Sequence, residues 1–83
     1  MSKKEKLVSK LKSRPRDFTF PQAKTLLEIC GYSMLPSGKT GGSRVAFARG
    51  QKVFRMHKPH PSKELHAYQI KELIDELSQE GLL

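Results

Sequence analysis

Three side chains between Gly41 and Leu65 could do phosphate chemistry: Arg44, Arg55 and His57. A guanidinium grips phosphate oxygens through a planar, two-pronged fork. An imidazole titrates near neutrality and can take up or release a proton there. A cation beside a titratable imidazole on an exposed face makes a candidate phosphate site, and a catalytic one if the imidazole moves a proton there. The elements that carry these residues must therefore bring an arginine and a histidine onto one exposed surface.

The pattern of residues 44–57 does so. Val45 and Phe47 alternate with Arg44, Ala46 and Ala48, and then Phe54 and Met56 alternate with Val53, Arg55 and His57. Successive strand side chains point to opposite faces, so each run reads as a strand with one apolar face and one basic or mixed face. Gly50-Gln51 fits a two-residue hairpin turn with Gly first. That turn sets 49 opposite 52, 47 opposite 54, 45 opposite 56 and 44 opposite 57. Phe47/Phe54 and Val45/Met56 then stack toward the core. On the other face Arg55 lies opposite Ala46 and Arg44 opposite His57, with Cβ atoms of opposed residues about 5 Å apart.

Net charge points the same way. The 83 residues carry 16 Lys and Arg against 8 Asp and Glu, a surplus of +8 that favours an anionic partner: nucleic acid, an anionic membrane or an acidic protein. The phosphate-contact candidates are Lys39, Ser43, Arg44, Arg49, Lys52, Arg55, Lys58 and Lys63; the competing role for such residues is a plain solvated surface. The length fills one core, so residues 1–83 read as a single domain. No apolar run reaches membrane-spanning length, and SKKEKLVSKLK lacks the apolar centre of a signal peptide. The single cysteine, Cys30, forms no internal disulfide and fits a reducing cytoplasm, where it is expected in the core. One Cys and three His without close spacing give no zinc pattern, and nothing in the chain calls for a cofactor.

Residues 3–12 predict a basic amphipathic helix that docks through Leu7, Val8 and Leu11 or adds RNA affinity, and that stops at Ser13-Arg14-Pro15. Thr19-Phe20-Pro21-Gln22 has the capping-box pattern of a second helix, with Ala23, Leu26, Leu27 and Cys30 on one side and Gly31 at its end. Tyr32 to Leu35 reads as a short strand, and residues 36–42 as a basic, turn-rich loop. A last helix is expected over 64–80, its core face formed by Ala67, Ile70, Leu73, Ile74 and Leu77. His66 falls within that arc and is expected to be packed and hydrogen-bonded. The order predicts an α+β fold: a three-stranded antiparallel sheet with helices on one face, plus an N-terminal basic helix. The other sheet face, bearing Arg44, Arg55 and His57, stays open.

Residues 26–82 resemble the HicA toxins of bacterial toxin–antitoxin systems, small RNA-cleaving proteins with a double-stranded-RNA-binding-like fold. The matching features are a helix ending in Gly31-Tyr32, a loop closing on Gly42-Ser43, the hairpin, Pro59-His60, Lys63-Glu64-Leu65 and a last helix ending in Gly81-Leu82. The resemblance makes 17–83 the toxin-like core and 1–16 a helical extension. It implies an mRNA interferase, an endoribonuclease of the stress response, neutralised by a HicB-type antitoxin. One departure stands out: the family's catalytic histidine follows the Gly-Ser directly, and Arg44 occupies that position here. The second family histidine falls on His60.

The register suggests a substitute. His57 lies opposite residue 44, so its imidazole can serve as base or acid while Arg44 clamps the phosphate and His60 assists. Two other functions compete: a binding module of this fold that holds RNA by shape and backbone without cutting it, and a basic surface that only receives an acidic protein.

Overall fold

Strand pairing follows the alternation of the hairpin residues. The computed structural model describes residues 2–35, 44–59 and 63–83. Along it run α1 (Lys3–Lys12), α2 (Phe20–Ile29), β1 (Ser33–Met34), β2 (Arg44–Arg49), β3 (Lys52–His57) and α3 (Ala67–Gln79). The sheet is antiparallel throughout, in the order β1-β2-β3. Arg49 pairs with Lys52, Phe47 with Phe54, Val45 with Met56 and Arg44 with His57, the register that a two-residue turn dictates. Gly50 takes φ +61° at the first turn position, a conformation glycine adopts without steric cost.

Val45, Phe47, Phe54 and Met56 pack against Leu7, Leu11, Leu26, Leu27, Leu73 and Leu77 in one core. Burying each such large side chain contributes about 1.5–3 kcal/mol. This is the expected α+β architecture, compatible with a small double-stranded-RNA-binding-like fold. The first helix docks as its apolar stripe predicts: Leu7 and Leu11 are buried and Val8 is half-buried. It is part of the core, not a separate arm. Cys30 is buried, which pushes its thiol pKa upward.

The helix ends are set by local chemistry. Thr19 and Gln22 form a reciprocal capping box, Gln22 N–H donating to Thr19 Oγ1 at 3.3 Å and Thr19 N–H to Gln22 Oε1 at 3.0 Å. Gly31, at φ +99°, closes α2 with paired bonds from Tyr32 N–H to the Leu27 carbonyl and from Gly31 N–H to that of Glu28. Gly81 repeats the motif on α3, with Leu82 N–H on Leu77 and Gly81 N–H on Ser78.

The start of α3 departs from expectation. It begins at Ala67, three residues after Glu64. Residues 64 and 65 lie outside the helix because Glu64 bridges Thr19 in an antiparallel pair. Phe20 N–H donates to the Lys63 carbonyl and Leu65 N–H to that of Phe18, both at 2.8 Å. His66 is therefore the N-cap, and it is exposed. It is not packed into the apolar face, and Ala67 is likewise exposed. Leu65 and Gln69 are buried at that end instead, at 4% and 2% exposure.

Candidate nucleic-acid interface

The open face of the sheet is built from the residues that alternate away from the core: Arg44, Ala46 and Ala48 of β2, and Val53, Arg55 and His57 of β3. Arg44, Arg55 and His57 are all exposed. Two hydrogen bonds define how the strands present them. Leu35 N–H donates to the Ala46 carbonyl at 2.8 Å, so that carbonyl faces β1 rather than β3. Gln69 Nε2 donates to the His57 carbonyl at 2.7 Å, so that one also faces away from β2. By the alternation of an antiparallel ladder, 46/55 and 44/57 are then the non-hydrogen-bonded pairs, in which opposed side chains approach more closely. Arg44 thus has His57 directly across and Arg55 on the diagonal, within reach of long side chains.

Gln69 is the residue that the sequence reading missed. It is the one buried polar or charged residue among those described, and both ends of its amide are used. Its Oε1 accepts from His66 N–H at 3.0 Å while its Nε2 reaches the His57 carbonyl. One side chain therefore ties the end of β3 to the first turn of α3. A signal was present: His66-x-x-Gln69 repeats the spacing of Thr19-x-x-Gln22, and reading it as a helix start would have placed Gln69 at the third helical position.

The other basic candidates separate by strand parity. Arg49 and Lys52 share the helix-side face with Phe47 and Phe54, not the open one. Arg49 Nη1 meets Glu80 Oε1 at 2.9 Å and Lys52 Nζ lies 3.9 Å from Glu80 Oε2. Close by, Tyr32 O–H donates to Glu76 at 2.7 Å; burial and that bond push its pKa well above the usual phenol range. Lys58 Nζ sits 5.9 Å over the Phe20 ring, and Lys63 is exposed beside it on the bridged segment. Lys39, Ser43 and His60, with the loop over 36–42, lie outside the described residues. Among the described residues, Arg44 and Arg55 form no ion pair, and no three His, Cys, Asp or Glu come together as a metal site. No described helix is long and apolar enough to cross a membrane.

The arrangement can bind a phosphate between two guanidinium groups with an imidazole alongside. No family model matches this chain, and neither a curated protein nor a solved structure matches it.

Proposed function

We propose that this protein is an RNA-cleaving toxin of the HicA kind, working on mRNA at the open face of its sheet and held inactive by a HicB-type antitoxin that covers that face. The observation that supports this most directly is the Arg44/His57 pair, an exposed cation and imidazole opposed across one ladder position. In the reaction, His57 takes the proton of a 2′-hydroxyl. The 2′-oxygen attacks phosphorus, the bond to the 5′-oxygen breaks, and a 2′,3′-cyclic phosphate remains. Arg44, with Arg55 on the diagonal, holds the phosphate oxygens as their charge rises. His60 returns a proton to the leaving oxygen. The chemistry needs no metal or cofactor.

A second reading, an RNA-binding domain that does not cut, draws on Arg44 standing where the HicA family carries histidine. The deciding experiment is cleavage of a defined mRNA in EDTA by the parent, His57→Ala, His60→Ala and Arg44→Ala proteins. Cleavage that disappears in folded His57→Ala supports the toxin. A folded parent that binds RNA and never cuts it leaves the binding domain.

A further inference from the structure

The first turn of α3 carries a second surface that the sheet site does not use. His66 and Tyr68 stack there with ring centroids 5.9 Å apart and planes 7° from parallel. Tyr68 is 56% exposed, more than any other large hydrophobic residue described. Ala67, the residue before Tyr68, helps line a cavity of about 280 Å³ together with Arg14, Pro15, Arg16, Leu65 and Ile70. Leu65 and Ile70 give it an apolar floor. Arg14 and Arg16 are exposed and form no ion pair among the described residues. The surface belongs to the same end of the molecule as the sheet site, since Gln69 joins this turn to His57.

An exposed aromatic ring on the same helical turn as a wall of a cavity lined by two unpaired arginines matches a nucleotide whose base is not paired. Base stacking on an aromatic ring is indifferent to sequence, and the adjoining phosphate supplies the anion. A duplex would keep its base faces hidden. We propose that this turn is a docking site for single-stranded RNA, in which Tyr68 stacks an unpaired base and Arg14 and Arg16 hold the flanking phosphate. The proposal rests on the reading that the chain binds RNA, and it names the form of RNA: a strand with at least one unstacked base beyond the phosphate at Arg44.

The test is binding of a labelled short oligouridylate, a same-length abasic strand and a duplex, measured by anisotropy at low salt. Tyr68→Ala should weaken oligouridylate binding by about fivefold or more and leave the abasic strand unchanged. Tyr68→Phe should bind like the parent. Arg14→Asn with Arg16→Gln should weaken both single strands, asparagine being chosen because Arg14 sits at φ +52°. The chain has no Trp and two Tyr, and Tyr32 is buried, so a change in tyrosine fluorescence on adding oligouridylate reports Tyr68 directly. The site is overturned if Tyr68→Ala binds oligouridylate like the parent, or loses the abasic strand equally. Equal dependence of duplex binding on Tyr68 overturns it too. If Arg44→Ala with Arg55→Ala abolishes binding while Tyr68→Ala does not, only this site falls. The reverse result removes the sheet site and keeps this one. A parent that binds no RNA at all removes both.

Discussion

The two ends of the hairpin use the same kinds of residue for opposite purposes. At the turn end, Arg49 and Lys52 share the helix-side face and one carboxylate, Glu80, which Arg49 approaches at 2.9 Å and Lys52 at 3.9 Å. At the open end, Arg44 and Arg55 face away from the core and meet no carboxylate among the described residues. What separates them is strand parity, not charge. An odd residue of β2 or an even residue of β3 turns toward α3, whose acidic side chains are waiting there. A net charge of +8 says that the molecule favours anions. The alternation says where the unspent charge sits.

The sharpest break of this comparison is in chemistry. His57→Ala, at the open end, should lower the RNA cleavage rate by about 10²–10⁴-fold with unchanged circular dichroism, the usual worth of a proton-transfer group. Next comes the strut behind that end. Gln69→Ala leaves the His57 carbonyl and the His66 N–H without their partner, and should cost about 1–3 kcal/mol in urea unfolding. Substituting one arginine at each end tests the comparison itself. Arg55→Ala should reduce the slope of log affinity against log salt by about 0.7–0.9, whereas Arg49→Ala should leave the slope nearly unchanged. Equal losses would mean that parity does not sort the charges.

Glu80→Gln frees Arg49 and Lys52 and should cost about 1 kcal/mol or less, because the pair is partly exposed at 38% and 17%. The smallest effect is a pH dependence at the turn end. Folding raises the Tyr32 pKa, chiefly through burial and then through Glu76. Stability from that group is complete below its unfolded pKa of about 10 and declines as pH climbs above it toward the folded value. A Tm series across that range should fall less steeply for Tyr32→Phe than for the parent.

The sheet and its register were legible because period-two alternation and a Gly-first turn leave a single pairing that buries Phe47 and Phe54 together. The helix ends at Gly31 and Gly81 and the box at Thr19 were legible for the same local reasons. The start of α3 was not. Glu64 and Leu65 continue the helical apolar spacing, and only the long-range bridge to Thr19 holds them outside the helix. That shift moved His66 and Ala67 out to solvent and brought Gln69 inward. The pairing of Arg49 and Lys52 with Glu80 was hidden as well, because it joins residues about thirty apart through tertiary packing. Within the candidate site, the opposition of Arg44 and His57 was readable, and the amide that anchors His57 was not.

The docking of α1 carries a consequence for how the protein is made. Leu11 is fully buried in the same cluster as Leu73 and Leu77, and α1 touches α3 directly. Because α1 is synthesised before α3, it lacks part of its partner surface until α3 follows. At roughly 5–20 residues per second, several seconds of synthesis separate them. Through that interval α1 can pack only against α2, and the core closes once α3 has been translated.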